Sequence, residues 1–173
     1  VRTGYQAIAD EWIAITPGSD AMFALSMMQV LLREGLIDDE FLIRYTNGPQ
    51  LVINNPGQQG DGLLLRDAKG NPQIWDQHTN SLQSALSPDV APALIGEYEA
   101  SCGTPVRTAF SILMEKYMAP EYAPEAAAKI CGVDAGTIER IALEMAHVAF
   151  KETITIDTEW TDWAGRTQTQ FIG

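Results

Sequence analysis

A hydroxyl and a carboxylate stand side by side where a turn meets a helix near the start of the chain. The turn contains Pro17 and Gly18, and Ser19 and Asp20 follow directly. Ser19 and Asp20 could simply begin the helix, as an N-cap and a first-turn acid. Alternatively, Asp20 could accept two hydrogen bonds from a ligand, since strand–helix junctions are where α/β folds bind nucleotides. Guanine offers the adjacent donors N1–H and N2–H₂ and adenine does not, so the second alternative would select guanine.

The remaining chemistry-bearing residues point to neither catalysis nor metal binding. His78 and His147 have no partner at metal-ligand spacing, and the sequence holds no GxSxG, GxGxxG or P-loop motif. The adjacent acids of residues 38–40 are interpreted as a solvated helix cap. Cys102 and Cys131 form no CxxC pair and are predicted to be ordinary reduced thiols. We therefore predict no catalytic residue and no metal ligand in this chain.

The composition limits the classes of protein to which this chain could belong. The 173 residues, 46% of them hydrophobic, are enough for one domain with a sizeable core. The formal charge of −12 argues against partners that are polyanions, so neither nucleic acid nor an anionic membrane surface is expected. No apolar run is long enough to span a bilayer.

The elements around the turn are predicted from periodicity. Ala9–Ile15 is short and apolar, as a buried strand would be. A helix is expected from Asp20 to about Gly35, where the glycine ends it. A second short helix is predicted over Asp38–Thr46, so residues 1–47 read as strand, turn, helix and helix.

The middle of the chain has a different character. Residues 48–104 are rich in turn residues and are predicted to be a surface excursion from the main domain. Within it, two apolar runs flank Gly70 and Asn71, which predicts a β-hairpin over Leu63–Asp76.

Helical periodicity returns in residues 105–173. Helices are predicted over Val106–Met118 and Ala119–Gly132, and a third follows Asp134 as its cap. A β-branched strand is predicted over Glu152–Asp157. The buried stripe of the third helix is expected to consist of Ile138, Ile141, Met145 and Val148. Helices feeding strands favour an α/β fold class, although two strands are too few for a sheet of its own.

Two stretches resemble the molybdopterin oxidoreductases, the dimethyl sulfoxide reductase family. The first runs from Ala9 to Thr46 and is similar to the family's succession of strand, PG[ST]D turn, apolar helix and FLxRYT helix. The second runs from Tyr122 to Ala146 and resembles the family's stretch before a later strand. The hairpin and the closing WTDWAGRT resemble features of the branch that acts on sulfur or selenium compounds, so the likeness extends from about Val1 to Thr167.

The resemblance implies a cofactor and a fold. The cofactor is molybdopterin guanine dinucleotide, bound as a pair around one molybdenum or tungsten, and Gly18, Ser19 and Asp20 match the turn that contacts its guanosine end. Residues 1–3 resemble the remainder of the family's DPRxT turn. The fold it implies is α/β: an incomplete, helix-rich, Rossmann-like dinucleotide-binding layer with an inserted hairpin, and residues 1–173 would all belong to one such domain.

The resemblance also sets expectations beyond this chain. The stretches that bind the iron–sulfur cluster and the metal are absent from the sequence, so we expect an internal piece of a large catalytic subunit that is inactive alone. Its partners would be the rest of that subunit, together with iron–sulfur and membrane-anchor subunits on either the cytoplasmic or the periplasmic side. The unpaired sheet edges predict a homo-oligomer for the piece itself. The alternative is a non-enzymatic helical scaffold or interaction domain in which PGSD is a plain helix cap.

Overall fold

The structure is a computed structural model that describes residues 4–153, 159–161 and 164–168, without the side chains of residues 5, 6, 102 and 168. The chain divides into two compact units. The first unit comprises Val1–Leu36 and Pro120–Gly173, and the second comprises Ile37–Ala119. The second unit is therefore wider at both ends than the excursion predicted over residues 48–104.

Three helices form most of the first unit. They are α1 (Asp20–Arg33), α4 (Pro124–Cys131) and α5 (Ala135–Lys151). Short 3-10 turns at Gly4–Ala7 and Pro120–Tyr122 precede α1 and α4. The three helices pack against one another in every pairing, so the predicted helical content of this part of the chain is confirmed.

Local sequence explains where these helices begin and end. α1 has an acid in its first turn and Arg33 in its last, which suits the helix dipole at both ends. Gly35 follows with φ of +66°, the left-handed conformation that glycine adopts without strain. α4 begins with Pro124, whose missing N–H is no loss in a first turn. The Asp134 carboxylate caps α5 by accepting from the Thr137 N–H at 3.1 Å.

The core of the first unit lies among these helices. Its fully or almost fully buried members are Ala127, Cys131, Val133 and Ile138. α1 contributes partly buried apolar side chains, namely Met22, Phe23 and Met27.

The buried stripe predicted for α5 is partly wrong. Ile138 is buried as expected, but Ala142 and Ala146 continue the buried face, while Met145 and Val148 are 49% and 53% exposed. The buried positions recur every four residues, and small alanines at two of them let α5 lie close to its neighbours.

The strand predicted over Ala9–Ile15 is not formed. The segment is irregular, although Ile13 and Ile15 pack on the core and the residues between and beside them are exposed. This alternation is that of a strand. A ladder needs a hydrogen-bonded neighbour, and the described part of the chain provides no strand beside these residues.

The second unit is built on short antiparallel strands. Within it, β1 (Leu51–Ile53), β5 (Thr104–Thr108) and β4 (Glu97–Ala100) form one sheet in that order, and β2 (Gln73–Asp76) pairs with β3 (Ser81–Ser84). Two helices flank the strands, α2 (Asp39–Tyr45) and α3 (Ala109–Tyr117). Leu51, Ala100 and Val106 form its buried cluster. α3 begins later than predicted because Val106–Thr108 pairs with β1.

The predicted hairpin is present in part. Its turn closes as expected, with an Arg66–Pro72 bridge and Gly70 at φ of +84°. Beyond the turn the two runs diverge: Leu64 bridges to β1, whereas the second run becomes β2 and pairs with β3.

The Rossmann-like layer stays a prediction. The sheets of the described residues are antiparallel and include a small pair, β6 (Trp160–Thr161) with β7 (Thr167–Gln168). The strand predicted over Glu152–Asp157 falls largely outside the described residues. Among the helices described, none is long and apolar enough to cross a membrane.

Candidate functional site

The residues singled out by the sequence form one turn that leads into α1. The Ser19 N–H donates to the Thr16 carbonyl at 3.1 Å, which closes a four-residue β-turn. Pro17 and Gly18 occupy its two central positions, and Gly18 has φ of +84°. This is a type II turn, in which proline presets the first central residue and the second requires the left-handed backbone that glycine supplies. Apart from its two chain neighbours, no described residue has an atom within 4 Å of a Cβ placed on Gly18, so the turn is open on that side.

Ser19 has a different role from the one predicted for it. It is the residue before α1, but its hydroxyl makes no capping bond to the helix. Instead it is buried and donates to the Thr16 carbonyl at 2.6 Å, alongside the Ser19 N–H. The hydroxyl thus braces the turn, and the first-turn N–H groups of α1 receive no cap from it.

Asp20 directly follows the turn and is exposed, as are Thr16, Pro17 and Gly18, whereas Ser19 is buried. Its carboxylate makes no hydrogen bond or ion pair with any described residue. As the first residue of α1, it lies at the positive end of the helix dipole. The arrangement therefore leaves the Asp20 carboxylate exposed at the start of α1.

The turn is tied to the end of α4. The Thr16 N–H donates to the carbonyl of Cys131, the last residue of that helix, at 2.8 Å. Gly132 follows in the left-handed conformation with φ of +74°, and a Cβ there would lie 3.0 Å from the Thr16 hydroxyl oxygen. The backbone of the turn and the end of α4 are thus in direct contact.

An ion pair holds the segment that leads into the turn. One guanidinium nitrogen of Arg140 on α5 donates to both carboxylate oxygens of Glu11, at 2.7 and 2.8 Å. The Arg140 guanidinium also donates to Glu144, one turn further along α5. The hydrogen bond to Glu11, followed by that to Glu144, raises the pKa of Arg140 above its ordinary value. Ile13 and Ile15, which pack against the core, and this exposed ion pair together connect the approach to the turn with the helices.

The other chemistry-bearing residues lie apart from the turn. Asp38 caps α2, accepting from the Phe41 N–H at 2.8 Å, which confirms the predicted acidic cap. His147 is exposed and lies 3.6 Å from a carboxylate oxygen of Glu152. Cys131 is a buried free thiol, and the Cys102 side chain lies outside the described part of the chain. Residues 1–3, which resemble the DPRxT turn, also lie outside it.

No cluster that could hold a metal ion occurs among the residues that the structure describes. Nowhere in that part of the chain do three or more His, Cys, Asp or Glu side chains lie close enough together to share one.

One buried carboxylate was not singled out from sequence. Asp76, in the second unit, is 2% exposed. It accepts hydrogen bonds from the hydroxyl and N–H of Thr79 and from the Ala91 N–H, at 2.6, 3.0 and 2.7 Å. These donors, the Thr79 hydroxyl first, lower the pKa of Asp76 from 3.8 to about 2. Its bonds are all internal to this loop region, so Asp76 holds structure there.

The turn was found from sequence, but the residues that support it were missed. The sequence places Gly132 at the end of the helix predicted over Ala119–Gly132, and the structure has it as the C-cap of α4. Its contact with Thr16 joins positions more than a hundred residues apart, which no local pattern encodes.

Comparison with known proteins identifies the relatives of this chain. It is 39% identical over 171 residues to a sulfite dehydrogenase subunit of Allochromatium vinosum, covering 94% of this chain and 18% of that protein. It is 30% identical over 157 residues to the alpha subunit of dimethylsulfide dehydrogenase from Rhodovulum sulfidophilum, covering 80% of this chain and 16% of the relative. A shorter match of 44 residues is 46% identical to the molybdopterin-containing subunit of thiosulfate reductase from Salmonella typhimurium, covering 25% of this chain and 6% of that protein. The chain thus spans less than a fifth of the length of these relatives, and no protein-family profile matches it.

Proposed function

The chain belongs to the molybdopterin oxidoreductase family, and from that premise we propose that its Pro17–Asp20 turn binds the guanosine end of molybdopterin guanine dinucleotide. The single observation that carries this proposal is the state of the Asp20 carboxylate. It is exposed, lies at the first position of α1 and has no hydrogen-bond or ion-pair partner among the described residues. A carboxylate of this kind accepts from two adjacent N–H donors, and guanine carries such a pair on its N1 and N2 edge.

The alternative, a plain helix cap in a scaffold domain, fits the turn less well. A capping serine would accept from a helix N–H, whereas the Ser19 hydroxyl donates back to Thr16. The uncapped first turn of α1 leaves N–H groups available to a polar ligand. Gly18, with open space on its side-chain face, lets a ligand approach the backbone closely.

The role that we propose for each residue follows from its position. Asp20 accepts from the guanine edge and so rejects adenine, which lacks the paired donors. Ser19 holds the turn through its two bonds to the Thr16 carbonyl. The dipole of α1 stabilises the carboxylate that points away from the protein.

The proposal extends to the whole protein through its relatives. A molybdenum or tungsten centre carried by the dinucleotide pair would supply the redox chemistry, with its ligands and the iron–sulfur cluster held by other parts of the subunit. The relatives are each named as one subunit of a larger enzyme, and we propose that this protein likewise works with further subunits that carry electrons. This segment would hold one end of the cofactor and take no part in the reaction.

Substituting Asp20 in the full-length subunit tests the proposal. Asp20→Ala should weaken retention of the guanine dinucleotide by about 1–3 kcal/mol, the range for losing hydrogen bonds to a charged acceptor. Asp20→Asn should be nearly as harmful, because the amide replaces one acceptor with a donor. The measurement is the amount of GMP that acid hydrolysis releases per mole of purified protein after extended dialysis.

Glu125→Ala is the matched control. Glu125 is also an exposed first-turn acid of the same unit, in α4, so its loss removes the same helix-dipole stabilisation of a few tenths of a kcal/mol. Cofactor content should be unchanged in this variant. Equal cofactor content in wild type and both Asp20 variants would reduce the turn to the start of a helix and overturn the proposal.

A further inference from the structure

We infer that Gly132 is a positioning residue for the guanosine site, acting through Thr16 on the turn that presents Asp20; the inference rests on the proposed function. Gly132 lies at the end of α4 and does not belong to the turn. Its part is to let the backbone of the turn approach the end of α4 as closely as it does.

A chain of hydrogen bonds connects α4 to the proposed site. The Cys131 carbonyl accepts from the Thr16 N–H. The Thr16 carbonyl in turn accepts from both the N–H and the hydroxyl of Ser19. Ser19 is covalently followed by Asp20. Thr16 is therefore held on both sides of its backbone, and the location of the end of α4 determines where the carboxylate points.

The absence of a side chain at residue 132 keeps this contact possible. A Cβ there would lie 3.0 Å from the Thr16 hydroxyl oxygen, closer than a carbon and an oxygen rest in an ordinary contact. Thr16 is exposed, but its β-branched side chain has few χ1 rotamers, so part of the relief would fall on the backbone that carries the turn. Cys131, on the other side, is fully buried in the core, where close packing resists displacement.

The test measures the affinity of the full-length subunit, prepared without cofactor, for GMP by calorimetry. Gly132→Ala should raise the Kd for GMP about tenfold, the equivalent of one lost hydrogen bond of about 1.4 kcal/mol. It should also lower the melting temperature, because alanine is strained at φ of +74°.

Gly35→Ala separates backbone strain from positioning. Gly35 also follows a helix of the same unit with φ of +66°, but a Cβ there would meet nothing within 4 Å. This variant should lose thermal stability in the same way while keeping the wild-type Kd for GMP.

A second substitution then distinguishes positioning from general damage. Adding Thr16→Ala to Gly132→Ala removes the hydroxyl that the new Cβ meets, while the backbone strain at residue 132 remains. The double variant should recover most of the GMP affinity but not the melting temperature. If Gly132 had a purely structural role, both the GMP affinity and the melting temperature of the double variant would stay below the wild-type values.

The outcomes of the two proposals can be told apart. If wild type binds GMP and Asp20→Ala weakens it, but Gly132→Ala matches wild type, the positioning role is wrong and the guanosine site stands. If Gly132→Ala and Gly35→Ala weaken GMP binding equally, positioning is again wrong. If wild type does not distinguish GMP from AMP, the guanosine site itself is wrong, and the positioning role falls with it.

Discussion

At the scale of single residues, the neighbouring side chains of Ser19 and Asp20 have different roles. Ser19 and Asp20 were both predicted to face the helix or a ligand, yet only Asp20 is exposed. The type II turn brings the Ser19 hydroxyl within 2.6 Å of the Thr16 carbonyl, so the hydroxyl bonds within the turn. The motif could be found from sequence, but the division of roles depended on turn geometry.

Asp76 gives a prediction about acid stability. Its pKa is lowered to about 2 in the folded protein, mainly by the Thr79 hydroxyl, and the unfolded chain has an ordinary value near 3.8. Unfolding therefore takes up a proton between these two values, and acid favours the unfolded state. The stability that Asp76 contributes is complete above about pH 4 and declines as the pH falls toward 2.

The measurement is the midpoint of urea unfolding between pH 2 and pH 7, followed by circular dichroism. Asp76→Asn should be less stable at neutral pH, because an amide cannot accept all the bonds of the carboxylate, and its midpoint should fall less on acidification. A variant whose acid dependence matches wild type would show that Asp76 does not titrate as described.

At the scale of elements, the helices were easier to predict than the strands. α1 begins at Asp20 as predicted. The residues that mark its two ends, an acid at the start and a glycine just beyond the end, lie within the local sequence. The strands of the second unit are only three to five residues long, and their existence depends on partners distant in sequence. The same reason accounts for Ala9–Ile15, which alternates like a strand but lacks a partner in the described chain.

The corrected face of α5 is testable by a pair of truncations. Ile138 is fully buried, whereas Met145, predicted for the same stripe, is 49% exposed. Ile138→Ala should cost about 2–5 kcal/mol of unfolding free energy, through lost apolar contact and the cavity left behind. Met145→Ala should change it by about 0.5 kcal/mol or less. Chemical denaturation of the 173-residue chain measures the unfolding free energy of both variants. Similar losses in the two would show that Met145 is buried as first predicted.

At the scale of the whole molecule, the chain has the composition of a folded domain and spans less than a fifth of the length of its relatives. We expect the 173-residue chain to bind no molybdenum or iron, because the described residues contain no cluster of metal ligands. Elemental analysis of the purified chain should find less than stoichiometric metal, and the full-length subunit is the positive control. Stoichiometric metal in the chain alone would place a metal site where none is expected.

Self-association is a second property of this scale and stays a prediction. Strands of the second unit present backbone edges, and such edges pair with other chains. The net charge of −12 opposes that pairing. We expect a dimer or larger oligomer of the 173-residue chain, and light scattering across a range of concentrations and salt would show it. A monomer at every concentration would contradict it.

The most direct test of the guanosine site compares three nucleotides on one protein. The cofactor-free full-length subunit is titrated with GMP, IMP and AMP, which present two, one and none of the donors that Asp20 would accept. We predict affinities in the order GMP, IMP, AMP, with about a tenfold step for each lost hydrogen bond to the carboxylate. In Asp20→Ala the three nucleotides should bind alike. Equal affinity of wild type for GMP and AMP would contradict a guanosine site at this turn.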